Sequence, residues 1–157
     1  MRALLSVADR DGISAFARDL LGLGVEVFAT DGTREHLAAD GIEVAPLADL
    51  TGTQALLGGQ VKTFHPAVYA GILARRDVPE QLAELAAQGI GTIDIVAVNV
   101  RPFAPQVGSR SLLPHEALEM IEVGGTALLA AAARNYAGVA PVVHPRHYPD
   151  VIREIRE

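Results

Sequence analysis

Apolar residues fall in short runs separated by polar turns, and the spacing within successive runs alternates between two types. Arg2–Val7 is a short apolar run followed by the turn Ala8-Asp9-Arg10-Asp11-Gly12; Ile13, Phe16, Ala17, Leu20 and Leu21 then recur at helical spacing. This reads as strand, loop, helix. Gly22 and Gly24 stop the helix, Val25–Ala29 forms a second strand, and Thr30-Asp31-Gly32-Thr33 is a polar loop. Arg34–Asp40 is a short helix ended by Gly41, and the unit restarts at Ile42–Pro46.

Leu50–Pro66 is the least regular stretch, with Gly52, Gly58 and Gly59, and reads as an extended loop with one short helix. Val68–Leu73 is apolar, Pro79–Gln88 is an amphipathic helix opened by its proline, and Ile93–Val98 is a buried strand. A connection through Ser111 leads to a helix over Pro114–Ile121, and Gly124-Gly125-Thr126 opens an alanine-rich helix running through Ala133. Val139–Val143 is the last strand and Tyr148–Glu157 a terminal helix; Met120 and the alanines read as core. Strands alternating with helices predict an α/β fold, a three-layer sandwich around a central, mostly parallel sheet of about five strands. In such sheets ligands bind beyond the carboxyl ends of the strands.

With 157 residues, half of them apolar and 20% charged, the chain has the composition of one globular domain. No run approaches the roughly 18 apolar residues of a membrane span, and the apolar stretch before Asp9 is too short for a signal peptide. Cytoplasmic residence is therefore expected, with no membrane partner. The absence of cysteine excludes disulfides and thiolate chemistry, and the histidines at 36, 65, 115, 144 and 147 show no ligand spacing. No metal is expected. A net charge of −6 opposes a polyanion, and 4% aromatics without tryptophan leave little stacking surface, so nucleic acid is not an expected partner. Twelve of the thirteen basic residues are arginine, which leaves Lys62 as the only lysine.

Ser6 and Arg10 follow the first strand, and Thr30, Gly32 and Thr33 follow the second. Hydroxyls flanking a glycine at a helix start, with a guanidinium nearby, suit a phosphate. An N-cap turn with a solvated arginine fits the same residues, and Asp31 would repel an anion unless it points away. Lys62-Thr63-Phe64-His65-Pro66 combines an ammonium, a hydroxyl and an imidazole, groups that can donate to an oxyanion and pass protons; a loop pinned by Pro66 is the plainer alternative. Asn99 and Arg101 leave a strand at its carboxyl end. Glu122 stands beside Gly124-Gly125, where a carboxylate can serve as a base, grip an amide or compensate a helix dipole. Arg134 and Asn135 end that helix.

Taken in order, Arg2-Ala3-Leu4-Leu5-Ser6-Val7, Thr30-Asp31-Gly32-Thr33, Val61-Lys62-Thr63-Phe64-His65-Pro66, Asp94-Ile95-Val96-Ala97-Val98-Asn99 and Glu122-Val123-Gly124-Gly125 resemble a known family. This is the cyclohydrolase domain, of methylglyoxal-synthase-like fold, at the amino end of the bifunctional enzyme that finishes purine synthesis. The resemblance covers nearly the whole chain, which would be a stand-alone module without the transformylase domain. It implies inosine monophosphate cyclohydrolase chemistry: dehydrative ring closure of a formamido-imidazole carboxamide ribotide, without metal or organic cofactor, by a homodimer.

Carried over by position, Ser6, Arg10, Thr30, Gly32 and Thr33 would hold the phosphate. Thr63, His65, Asn99, Gly124 and Gly125 would complete the nucleotide site, with Lys62, Glu122, Arg101 and Arg134 as catalytic groups. Arg101 replaces a family Tyr, Glu122 an Asp, Arg134 a Lys, Gln60 an Arg, Ala8 a Ser and Asp31 a Gly. These exchanges imply an analogue heterocycle or a loss of activity. Two other functions fit the fold: a non-catalytic nucleotide or phosphate-ligand regulatory domain, and phosphate elimination as in methylglyoxal synthase, for which Asp94 and His65 are the available acid–base pair.

Overall fold

The computed structural model describes residues 1–108 and 112–157. Its elements in chain order begin with β1 (Arg2–Val7), α1 (Ile13–Gly22), β2 (Glu26–Ala29), α2 (Asp31–Ala39), β3 (Ala45–Pro46) and α3 (Ala48–Thr51). They continue with α4 (Pro66–Leu73), α5 (Pro79–Ala87), β4 (Ile95–Asn99), α6 (Phe103–Gly108), α7 (Pro114–Glu119), α8 (Gly124–Arg134), β5 (Ala140–Val142) and α9 (Tyr148–Arg156). Single turns of 3-10 helix lie at Leu57–Gly59 and Pro145–His147.

Among the described residues, five strands form one sheet in the order β3-β2-β1-β4-β5, and every pairing is parallel. The chain runs outward from β1 to β3, then returns to place β4 on the other side of β1, with Val7 opposite Asn99 at the last step of that pair. Connections leaving β1 and β4 therefore diverge and open a crevice between them.

Both faces of the sheet are covered, which is why its strands read as unbroken apolar runs. Leu5, Val27 and Ala97 meet Phe16 and Leu20 of α1, Leu37 of α2 and Ile152 of α9 on one face. Leu4, Phe28 and Val96 meet Val68 and Ile72 of α4 and Leu128 of α8 on the other. Phe16 stacks on Tyr148 at 4.3 Å between ring centres. A Cβ on Gly71 would stand 2.7 Å from the Gly91 carbonyl, so α4 reaches its position only with glycine there. The buried Asn135 side chain donates from Nδ2 to the carbonyls of Ile72 (2.7 Å) and Ala74 (3.0 Å), tying the end of α8 to the end of α4.

The expected strand over Ile42–Pro46 contracts to its last two residues, and at the start of that segment the Ile42 N–H donates instead to the Leu37 carbonyl near the end of α2, at 2.9 Å. The polar loop Thr30–Thr33 is helical from Asp31 onward, with Thr30 as N-cap. The apolar Val68–Leu73 belongs to α4, which starts at Pro66, and the helix expected to reach Ile121 ends at Glu119. Ser111 lies outside the described residues. Both outer strands contain a proline, Pro46 in β3 and Pro141 in β5. Among the described residues no helix is long and apolar enough to cross a membrane, and no group of histidine and carboxylate side chains could hold a metal ion.

Candidate functional site

The site lies at the carboxyl ends of β1, β2 and β4. Leu5 accepts the Thr30 N–H at 3.1 Å, which brings the start of α2 against the end of β1. Thr33 Oγ1 accepts from the Val7 N–H at 3.1 Å, and Thr30 Oγ1 donates to Ser6 Oγ at 3.3 Å. Thr30 and Thr33 are buried, so their hydroxyls join β1 to α2 and do not stand open to a ligand. The groups left facing outward are Ser6, the first-turn backbone at Gly32, and Arg10. One guanidinium nitrogen of Arg10 lies 3.4 Å from where a Cβ on Gly32 would stand. Asp31 is exposed at the first helical position, where its charge favours the helix dipole.

Two adjoining cavities lie beyond β1 and β4 and share Ser6, Glu122 and Gly125. One, of about 270 Å³, is also lined by Ala8, Asn99, Arg101 and Met120. The other, of about 440 Å³, is lined by Gly59, Gln60, Lys62, Thr63 and Gly124. Together they form a trough with Lys62 on one side, Arg101 on the other and Glu122 between them.

Each side chain has a local cause for its place. Leu56 and Val61 form an antiparallel bridge around a turn in which Leu57, Gly58 and Gly59 have φ of 51°, 63° and 93°. The two glycines make that left-handed path accessible. It delivers the half-buried Lys62 with Nζ 4.0 Å from the position of a Gly59 Cβ. At the start of α8, a Cβ on Gly124 would lie 3.1 Å from Thr63 Oγ1, and one on Gly125 would lie 3.1 Å from both Val98 and Val100. The double glycine thus lets α8 and the Thr63 loop settle directly on the end of β4. Glu122 Oε1 accepts the Gly125 N–H at 2.8 Å, a carboxylate capping a helix start.

Several expected ligands are already engaged. His65 Nδ1 accepts the Ala67 N–H at 3.2 Å and caps α4, as His144 caps the turn at Arg146. Asn99 Oδ1 accepts from the N–H groups of Ala8 and Asp9, both at 2.7 Å, and its Nδ2 donates to the Asp9 carbonyl at 3.0 Å. Arg134 is not brought to the trough. Ten helical steps at 1.5 Å separate it from Gly124 by about 15 Å, and it lines separate crevices with Arg75 and Asn135. Asp94 lies before β4, about 16 Å along the strand from Asn99. There it accepts the Arg2 N–H at 2.9 Å and pairs with Arg76 at 3.3 Å. The pair Asp94 and His65 is accordingly split between the two ends of the sheet.

Met120, read as core, lines the trough instead. Its place two residues before Glu122, in the segment leading to the glycine pair, was the available signal. Under the loop after β1, burial pushes the Tyr148 phenol up to about 12, and the carboxylates of Asp9 and Asp11 act in the same direction.

This architecture has counterparts. Residues 12–127 match the model of the MGS-like domain. The chain is 46% identical over 156 residues to the bifunctional purine biosynthesis protein PurH of Chloroflexus aurantiacus, and 44% identical over 155 residues to that of Leuconostoc citreum. Each alignment covers 99% of this chain and 30% of the relative, so the chain spans under a third of these proteins' length. Among solved structures, that of ForH superposes with a TM-score of 0.85 at 40% identity, over 99% of this chain and 79% of that one. By sequence and by fold, the chain belongs to the MGS-like domain family.

Proposed function

We propose that the protein closes the ring of a formamido-imidazole carboxamide ribotide, or of an analogue heterocycle, in purine-type nucleotide biosynthesis. The observation that carries this reading is the convergence of Lys62, Glu122 and the Gly124-Gly125 helix start in one trough whose floor includes Ser6. The relationship to PurH, a purine biosynthesis protein by name, supports the same reading.

Closure is unimolecular once the carboxamide nitrogen lies against the formyl carbon, so holding the folded conformer supplies much of the acceleration. Attack forms a carbon–nitrogen bond and places negative charge on the former formyl oxygen. Lys62 steadies that charge and protonates it to a hydroxyl. A second proton, the one Glu122 takes from the carboxamide nitrogen, lets the hydroxyl leave as water when its C–O bond breaks, while the formamido N–H returns a proton to Lys62 and the ring C=N bond forms. Glu122 orients the carboxamide and takes the proton from its nitrogen. Arg101, always cationic, stabilises charge at the mouth of the trough. Arg10 and the first turn of α2, beside Ser6 and outside the lining of the trough, hold the phosphate.

Arg134 joins this chemistry only from a second copy of the chain, since a protomer holds its own Arg134 about 15 Å away along α8. A homodimer is part of the proposal, and the exposed Leu57, Leu118, Ile121 and Val123 around the trough supply apolar surface for it. The decisive experiment is incubation of the purified protein with the formamido ribotide while ultraviolet absorbance is followed for the fused ring. Absence of turnover by a folded protein rejects closure of that substrate.

A second reading, a non-catalytic domain that binds a nucleotide or phosphate ligand, is favoured by one feature: the Glu122 carboxylate is already engaged as a helix cap. Tight binding of the nucleotide without conversion of the ribotide would select it. The elimination reading has no such support, because Asp94 is bound to Arg2 and Arg76 away from the trough.

A further inference from the structure

We infer that Asn99 is a positioning residue for the anion-holding loop beside the trough: its carboxamide fixes the Ala8–Asp9 backbone and so sets Arg10 against the first turn of α2. The inference rests on the reading that Arg10 and that turn hold the phosphate. Val7 and Asn99 are the last paired residues of β1 and β4, and past them a ladder would ordinarily stop. Here the side chain of Asn99 continues it, with Oδ1 accepting from two successive N–H groups and Nδ2 donating to the carbonyl between Asp9 and Arg10. Both lone pairs of the amide oxygen and one of its two N–H groups are thereby used within the chain. A ligand is offered at most one N–H.

The hold passes directly along the loop. Asp9 Oδ1 accepts the Asp11 N–H at 3.0 Å, and the Arg10 carbonyl accepts the Ile13 N–H at 3.3 Å as α1 begins. Arg10 therefore sits in a turn bonded on both sides, with its guanidinium reaching Gly32. Asp9, Arg10 and Asp11 are exposed, and β1 and α1 alone leave this turn without a lateral anchor. The carboxamide is chemically matched to the task. Aspartate would keep both acceptor contacts but set a carboxylate against the Asp9 carbonyl, and glutamine would overshoot by one methylene.

The test is calorimetric titration of inorganic phosphate and ribose 5-phosphate into the full chain as wild type, Arg10→Ala, Asn99→Ala and the double variant, with thermal melts to verify folding. Asn99→Ala is expected to weaken both ligands about tenfold, close to the effect of Arg10→Ala, and the double variant to bind within about twofold of Arg10→Ala alone. Affinity for inosine, which has no phosphate, stays as in wild type. Unchanged phosphate affinity in Asn99→Ala, multiplying losses in the double variant, or a fall in inosine affinity would each overturn the inference, the last by assigning Asn99 to the heterocycle. Should Arg10→Ala match wild type, the phosphate reading itself fails, a result visible in that arm alone, and the inference falls with it. If Asn99→Ala does not fold, Asn99→Gln, which adds no charge but overshoots the loop by one methylene, replaces it, with the same outcomes.

Discussion

Glu122→Gln separates the two tasks assigned to one carboxylate. Glutamine keeps an oxygen at the same reach, so the 2.8 Å contact with the Gly125 N–H can persist. The substitution removes the negative charge at the start of α8 and the capacity to take a proton. The lost charge–dipole attraction is about 0.3–1 kcal/mol, and the cap falls from a charge-assisted to a neutral bond of roughly half the strength. A total near 1 kcal/mol lowers Tm by about 2–4 °C in a chain of this size. A general base contributes about 10²- to 10⁴-fold to rate. The assay pairs the initial rate of absorbance change on saturating formamido ribotide with a calorimetric melt. Turnover is expected to fall at least about 100-fold while Tm falls by no more than about 4 °C. Turnover within about threefold of wild type would leave Glu122 a helix cap and refute its role as base.

Lys62→Arg keeps the charge but places it on a guanidinium that does not give up a proton; turnover should fall by about 100-fold or more, and near-normal turnover would refute the assignment. Gly71→Ala puts a methyl 2.7 Å from the Gly91 carbonyl. It should cost about 1–3 kcal/mol in a denaturant titration, and a neutral result would mean that α4 shifts freely. Tyr148 carries a pH signature. Its folded phenol titrates at about 12 against an ordinary value of about 10, so the folded state keeps a proton that the unfolded chain releases. Its contribution is complete below pH of about 10 and is lost as pH rises through about 12. Tyr148→Phe should flatten that alkaline fall in stability, and equal slopes for the two proteins would reject the cause.

The fold was legible because burial on both faces of a parallel sheet writes itself as apolar runs, and Gly22, Gly24 and Gly41 mark where the connections turn. The site was legible as residue types at strand ends, which is where Lys62, Glu122 and Ser6 indeed gather. Orientation was not. A threonine at a helix start reads the same whether its hydroxyl faces a ligand or, like Thr33, receives a strand N–H. His65 and Asn99 likewise look like ligands until their backbone partners are seen. Arg134 differs again: nearness to the glycine pair in sequence becomes about 15 Å once the segment is helical, so within one protomer it lies away from the trough.

The prolines in β3 and β5 govern how copies of this molecule can meet. Each outer rim of the sheet is two or three residues long and lacks one donor, so neither offers a template onto which another chain could be stitched by main-chain bonds. Filament growth by strand addition is disfavoured at both margins. A dimer is therefore expected to form away from the sheet margins, and its strength should respond to substitutions at its contacts while the sheet within each copy stays unaltered.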